Sequence, residues 1–401
     1  MSSARAKPAD HLAPLDGLRG IAVALVVWFH VWQITWLPAD VHVFAATVNF
    51  NWIPEDGFIG VDLFFFISGF CLFYPYARTL FDGAPKQRVA TFAYRRAIKI
   101  LPSYVFAIAA MIAFGWAKFD SPADAVRQVT LHLLFIHTLF PDSYGSINGV
   151  LWSLATEVQF YAIFPFVCWA AMKRPWLTFA AIFVIANAYR LFIAHDFDIV
   201  HQIDQLPGTL DLFGSGMFAA YLFRLVATRA PQLATRRALW TAVAVASCVA
   251  LYALIQTLFA ARLFPNWPMA WEIWGRPIMT LLFASLTLGS LFAIPLWQRA
   301  LANPALVFLS GISYNLYLWH QPIARALFDH RLPNWTQTDE HYDAVWGLEY
   351  TLVAFAAGLV VATIVTYAIE RPLLRWRPLE PKFERAPKIL VEAARRGVAS
   401  D

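Results

Sequence analysis

Apolar runs of helical length recur along most of the chain, separated by short polar segments that carry most of the Lys and Arg. Crossing a hydrocarbon core takes about 20 helical residues. Runs of that kind lie at 15–37, 58–77, 100–117, 149–171, 176–195, 206–226, 238–259, 273–294, 304–327 and 345–368. The pattern predicts an all-α polytopic membrane protein with about ten transmembrane helices. The segment from Val129 to Phe140 is too short to cross and would invert every later loop if it did, so it is expected as a re-entrant or interfacial helix on the outer side. With no internal repeat or low-complexity stretch, the chain divides into a polar N-terminal segment (1–11), one transmembrane domain (12–376) and a charged tail (377–401).

Composition closes off the soluble alternatives. Of 401 residues, 59% are hydrophobic and 14% charged, leaving more apolar surface than one water-soluble domain could bury. The net charge of +5 does not signal nucleic acid, because no basic patch interleaves with exposed aromatics. The cations instead gather in alternate loops, which sets orientation in a bilayer. With the N-terminus inside, the cytoplasmic segments collect Arg5, Lys7, Arg78, Lys86, Arg88, Arg95, Arg96, Lys99, Lys173, Arg174, Arg224, Arg229, Arg236, Arg237 and Arg299. The outer segments and span ends hold Lys118, Arg127, Arg262, Arg276, Arg325 and Arg331. Both termini are expected in the cytoplasm and the protein in the inner (plasma) membrane, with the first helix retained rather than cleaved. Cys71, Cys168 and Cys248 lie in or beside apolar runs without metal-ligand or disulfide spacing, so they read as packing residues and no metal is expected.

Ionisable groups inside a membrane helix are costly unless they face a partner or a cavity. Four stand out, on four helices: His30, Asp62, Glu157 and His320. At about 1.5 Å per residue they fall roughly 6–13 Å in from the outer face, which suggests a shared polar cavity opening outward. Arg19 and His30 are eleven residues apart, three turns plus about 20°, so they project from one helix face roughly 16 Å apart. Arg19 cannot lose its proton and suits a phosphate anchor. His30 titrates near neutrality and suits a general base or an acyl acceptor. Acyl-coenzyme A, with phosphates at one end and a reactive thioester at the other, has the shape to touch both.

A second group of cations, Arg95, Arg96 and Lys99, stands where the third span begins, close enough in helical register for at least two to share a face. A polyanion such as a nucleotide diphosphate would relieve their repulsion. No Walker-type or GxGxxG loop accompanies them, so nucleotide hydrolysis and hydride transfer are unsupported. Ser153, Glu157 and Tyr161 form a polar stripe at i, i+4 and i+8 in the fourth span. Ser310, Ser313, Tyr317 and His320 form another in the ninth, with Tyr314 and Gln321 beside them. Stripes of this kind line cavities. Outer aromatics (Trp36, Trp52, Trp267, Trp271, Trp335) could stack on sugar rings or anchor in headgroups.

The order and wording of these segments resemble the acyltransferase-3 family of integral membrane acyltransferases, from about Leu15 to Pro372. The family's Arg-x10-His signature falls on Arg19 and His30, its GVDxFFxxSGF on Gly60 to Phe70 (including Ser68), and its basic stretch on Arg95, Arg96 and Lys99. Its WSLxxE element falls on Trp152 to Glu157, its SYxLYLWHxP on Ser313 to Pro322, and its ERP on Glu370 to Pro372. Lys99 stands where Arg is common, keeping charge but not the bidentate fork, and Val158 stands where many members have a second acid. The chain resembles the stand-alone type, and no hydrolase-like domain of the kind fused to some relatives is expected.

The resemblance implies transfer of an acyl group, most simply acetyl, from cytoplasmic acyl-CoA (acetyl-CoA) to a hydroxyl of an envelope or exported glycan or lipid-linked saccharide. Arg19, Arg95, Arg96 and Lys99 are expected to hold the donor, and His30 to act on the hydroxyl or carry the acyl group. Glu157 or Asp62 is expected to orient His30. Ser68, Ser153, Tyr161, Ser313, Tyr314, Tyr317 and His320 are expected around the substrate pocket. The alternative of another class is a proton-coupled transporter or glycan flippase using the same groups as a relay. Against it stand the missing half-to-half symmetry and the cations aligned beneath a histidine.

Overall fold

The computed structural model describes residues 12–43, 46–194, 199–264, 267–335 and 343–375; the expected terminal segments, 1–11 and 377–401, lie outside these. The long helices are α1 (Ala13–Thr35), α2 (Ile59–Asp82), α3 (Val89–Ala113), α4 (Pro122–Leu133), α5 (Leu151–Lys173), α6 (Pro175–Ile193), α7 (Leu206–Arg229), α8 (Arg237–Ala261), α9 (Arg276–Phe292), α10 (Pro304–Asp329) and α11 (Ala344–Val365). A single antiparallel hairpin, β1 (Asp40–Val43) with β2 (Ala46–Asn49), is the strand content among the described residues. Nine spans among them are long and apolar enough to cross a bilayer. The protein is an all-α polytopic membrane protein. Its outer skin is apolar as lipid requires: Phe166 on α5 is 76% exposed and Phe192 on α6 82%, values a water-soluble fold would avoid for such rings.

The tenth expected crossing is α10, which is long enough at 26 residues but not apolar enough to stand among the nine. The reason is its polar stripe, with Ser310, Ser313, Asn315 and His320 all buried. α10 packs against α1 and α11, so these groups meet protein rather than lipid. Elsewhere small residues let helices approach closely. A Cβ on Gly69 of α2 would lie 2.1 Å from the Phe213 carbonyl oxygen, and one on Gly216 of α7 would lie 1.9 Å from that of Phe66. Backbone therefore touches backbone in both directions along the α2–α7 seam.

Two boundaries differ from the sequence reading. α3 starts at Val89, eleven residues before the expected apolar run at 100, so Arg95, Arg96 and Lys99 sit inside a formed helix rather than at its mouth. The short segment expected at Val129–Phe140 is a helix that begins at Pro122 and ends at Leu133, followed by a 3-10 turn at His137–Leu139. Ser121 caps it by accepting from the Asp124 amide, with proline at the first helical position, a start signal that outweighs the polarity of its first turns.

Two π turns matter for the site. Trp271–Gly275 precedes α9 and carries Glu272; Thr366–Glu370 follows α11 and ends on Glu370. Both carboxylates are buried. π turns inserted in helices commonly mark functional positions.

Candidate functional site

Two cavities lie along α1. The first, about 190 Å³, is lined by Arg19 of α1, Ser68 and Cys71 of α2, Arg96 and Lys99 of α3, Ser153, Glu157 and Tyr161 of α5, and Ser310, Ser313, Tyr314 and Tyr317 of α10. The second, about 320 Å³, is lined by His30, Asp62, Asp204, Glu272 and Arg276 among the aromatics Phe29, Phe58, Tyr144, Trp152, Trp271 and Tyr317. Val61 and Tyr317 line both cavities. They form the partition between an Arg19 chamber and a His30 chamber. Tyr317 is held there by its hydroxyl, 2.5 Å from Ser153 Oγ and 3.1 Å from the Val150 carbonyl oxygen.

The Arg19 chamber is cationic. Arg96 lies 5.6 Å over the Tyr161 ring and 5.9 Å over Phe92, and its buried Nε has no hydrogen-bond partner. Arg19 touches Cys71 Sγ at 3.6 Å, so Cys71 does more than pack. Neither guanidinium forms a salt bridge among the described residues. Lys99 does: it pairs with Glu370, whose other oxygen accepts from Asn315 Nδ2 at 2.8 Å. Helical register explains the selection. Arg96 and Lys99, three apart, share the face that lines the chamber, while Arg95, 100° away, is exposed and does not line it. Glu157 belongs here and not beside His30, accepting from Ser68 Oγ at 2.6 Å and Tyr161 OH at 2.7 Å.

In the His30 chamber, the partner of His30 is His320. His320 Nε2 lies 3.1 Å from His30 Nδ1. The sequence explains why His320 can be fixed so tightly. Pro322 has no N–H for the Leu318 carbonyl, and Asn148 Nδ2 supplies that bond from outside α10 at 3.0 Å. His320 Nδ1 faces the carbonyls of Tyr317 (2.8 Å) and Leu316 (3.1 Å). Facing acceptors only, that nitrogen carries the proton in the neutral ring, leaving Nε2 as an acceptor. His30 Nδ1 then lies between two acceptors, His320 Nε2 and the Val26 carbonyl at 2.9 Å. It carries its proton too, and His30 Nε2 keeps a bare lone pair.

Asp62, expected to orient His30, instead pairs with Arg276 at 3.5 Å. Arg276 also reaches Glu272 at 2.9 Å. Behind them, the fully buried Arg190 makes a two-pronged bond to Asp211, 2.6 and 2.8 Å, and donates to the Gly208 carbonyl. Asp204, in the turn before α7, accepts from Tyr144 OH. Burial pushes its carboxyl up to about 7, opposed by that hydrogen bond. The four ionisable groups expected at one level thus divide between chambers, with His320 lining neither and acting on His30.

Arg276, Glu272 and Asp204 were not among the expected site residues. Arg276 was placed with the outer charges, yet it is buried. The signal was faint: Glu272 and Arg276 stand four apart, but Glu272 lies one residue before the apolar run read at 273–294 and Arg276 at its start, where a charge is ordinarily topological. Of the outer aromatics, Trp271 lines the His30 chamber, whereas Trp36, Trp52 and Trp335 do not, and the side chain of Trp267 lies outside the described residues.

Comparisons with known proteins follow the same lines. A family model described as an acyltransferase domain matches residues 12–371. Acyltransferase MdmB of Streptomyces mycarofaciens is 26% identical over 94% of this chain and 97% of its own. BcsY of Komagataeibacter xylinus, assigned as a membrane-bound transacylase, is 26% identical over 79% of this chain and 73% of its own. O-acetyltransferase OatA of Staphylococcus aureus is 25% identical over 78% of this chain, which spans only half of that relative. No solved structure matches. The chain belongs to the acyltransferase-3 family of integral membrane acyltransferases.

Proposed function

We propose that the protein is an O-acyltransferase of the inner (plasma) membrane that moves an acyl group, most simply acetyl, from cytoplasmic acyl-CoA to a hydroxyl of an envelope or exported glycan. The observation that carries this reading is the pair of chambers meeting at Val61 and Tyr317, one lined by cations and the other by a histidine with a bare lone pair. The unit performing the reaction is residues 12–376, with 1–11 and 377–401 as cytoplasmic flanks. The Arg19 chamber faces the cytoplasm on the positive-inside distribution, and α4 lies at the outer face.

Arg19, Arg96 and Lys99 hold the donor's phosphates, Lys99 exchanging Glu370 for phosphate; exposed Arg95 takes no part. The pantetheine arm runs between helices toward the partition. His30 Nε2 accepts the proton of the acceptor hydroxyl while that oxygen forms its bond to the thioester carbonyl carbon. The carbon–sulfur bond then breaks, and the coenzyme A thiolate takes up the proton. The name of OatA, an O-acetyltransferase, favours oxygen as the acceptor atom and acetyl as the simplest group. The test is acetyl-CoA turnover by purified protein and its His30→Ala variant, alongside mass spectrometry of envelope glycans from cells with and without the gene. Loss of at least 100-fold in turnover is expected, on the scale of general-base catalysis. Unchanged turnover removes His30 from the chemistry.

A further inference from the structure

The transfer step leaves Glu157 without a part. Among the described residues it is the one carboxylate lining the Arg19 chamber, in a wall that otherwise presents Arg19, Arg96 and Lys99. A counterion for those cations would pair with one of them. Glu157 pairs with none: its contacts are the hydroxyls of Ser68 and Tyr161, and both donate to the same oxygen, Oε1. Oε2 accepts no hydrogen bond among the described residues, and it is not among the unpaired oxygens that are buried. One oxygen is thus fixed by the protein, and the other is held open to the chamber.

The depth of this carboxylate is set from two helices. On α5, Glu157 stands one turn, about 6 Å, from Ser153 at the partition; on α2, its partner Ser68 stands two turns, about 10 Å, from Val61. Arg96 lies further toward the cytoplasmic side, over the ring of Tyr161. An acyl-CoA with its phosphates among the cations and its thioester at the partition threads its pantetheine arm past this level. The arm is uncharged, and its N–H donors are two amides, about 4 and about 9 Å along the extended chain from the sulfur. A carboxylate accepts such an N–H in a charge-assisted hydrogen bond, whereas it repels phosphate.

We infer that Glu157 recognises the pantetheine arm, its Oε2 accepting an amide N–H of the bound donor. The chamber then reads coenzyme A by two features, the phosphates through its cations and the arm through this carboxylate. Ser68 and Tyr161 orient the acceptor in advance, so little is lost in ordering it when the donor arrives. The inference rests on the proposed role of this chamber as the donor site.

The test compares coenzyme A with adenosine 3′,5′-bisphosphate, which has phosphates but no arm, by titration calorimetry on the full chain in nanodiscs. Glu157→Met removes the acceptor at similar volume. It is expected to weaken coenzyme A about tenfold, the scale of one charge-assisted hydrogen bond, and to leave the bisphosphate within about twofold. Glu157→Gln, which keeps an acceptor oxygen, is expected to fall between wild type and Glu157→Met. If a variant fails to fold, the wild-type protein decides through coenzyme A analogues in which one or the other amide N–H is replaced by a methylene. At least one analogue is expected to bind about tenfold more weakly than coenzyme A. Equal weakening of both ligands in Glu157→Met, no change in either, or tighter binding of either overturns the assignment and leaves the acyltransfer reading standing. So does equal binding of coenzyme A and both analogues by the wild type. A wild-type protein that binds neither coenzyme A nor the bisphosphate overturns the donor-chamber reading itself.

Discussion

Replacing His320 by leucine keeps most of the side-chain volume and removes one hydrogen-bond acceptor. His30 Nδ1 would still face the Val26 carbonyl at 2.9 Å, so its proton has somewhere to stay. What goes is the 3.1 Å contact to His320 Nε2 and the edge-on ring packing at 4.9 Å between centroids. A neutral hydrogen bond contributes about 1 kcal/mol net, and a ring pair about 0.5–1 kcal/mol. Together these correspond to roughly 10–30-fold in rate if expressed fully in the transition state. That is far below the roughly 10⁴-fold that follows loss of the orienting carboxylate in a serine protease triad, where no second acceptor holds the tautomer.

The assay is steady-state acetyl-CoA turnover with kcat and KM resolved. His320→Leu is expected to lower kcat by about 10–30-fold and to leave the KM for acetyl-CoA within about twofold, because the donor's phosphates bind in the other chamber. His320→Gln, which can place an amide oxygen near the lost Nε2, is expected to recover much of the rate. Wild-type kcat in the leucine variant would refute the reasoning. So would equal losses in the two variants, which would mean packing rather than an acceptor is at stake.

Three further outcomes are expected. Tyr317→Ala opens the partition between the chambers, so it should shift kcat/KM toward longer acyl-CoA chains relative to acetyl-CoA; an unaltered chain-length profile counts against the partition as a sieve. Arg96→Ala should raise the KM for acetyl-CoA about tenfold through a lost charge-assisted contact, whereas Arg95→Ala should change it less than about twofold; equal effects would mean that helix face does not matter. The buried rings of His132 and His137 stack at 3.9 Å, and burial lowers them to about 4 and about 3. The opened state binds protons near pH 6.5 and the closed state does not, so closure of residues 122–139 is fully stable above that pH. It loses up to ~2 kcal/mol per ring by pH 5. Amide exchange, corrected for its intrinsic pH dependence, should speed up on acidification, and constant or rising protection would contradict this.

The helical architecture could be read from the chain because lipid permits so few solutions: a run of about 20 apolar residues has one backbone form that satisfies itself. That Arg19, Arg96, Lys99 and His30 line cavities could be expected because ionisable groups at helical spacing are conspicuous against leucine and phenylalanine. The partners of those groups were not legible. Glu157 and Asp62 were both near enough in depth to serve His30, and only packing decides that Glu157 turns to Ser68 and Tyr161 while Asp62 turns to Arg276. Arg276 was read as a topological charge because it stands at a span end, a position that cannot reveal a π turn bringing Glu272 beside it. The start of α3 was missed because hydropathy locates the apolar part of a helix, not its polar first turns.

The different charged groups of the two chambers bear on how a large donor could be used without being lost. On the proposed reading, the phosphates of acyl-CoA are held among Arg19, Arg96 and Lys99, and the next space along α1 is bounded by Asp62, Asp204 and Glu272. A diphosphate that followed its own arm past Val61 and Tyr317 would leave its cations for a space whose guanidinium, Arg276, is already paired with Asp62 and Glu272. The acyl group and pantetheine arm carry no charge and meet no such barrier. Charge, more than the width of the passage alone, would then hold the coenzyme on one side while its acyl carbon is presented to His30. Neutralising the acids would weaken that barrier, and removing Tyr317 would widen the gap without abolishing it. The two substitutions should therefore differ in kind: coenzyme A retention should depend on the carboxylates, and acyl chain length on the tyrosine.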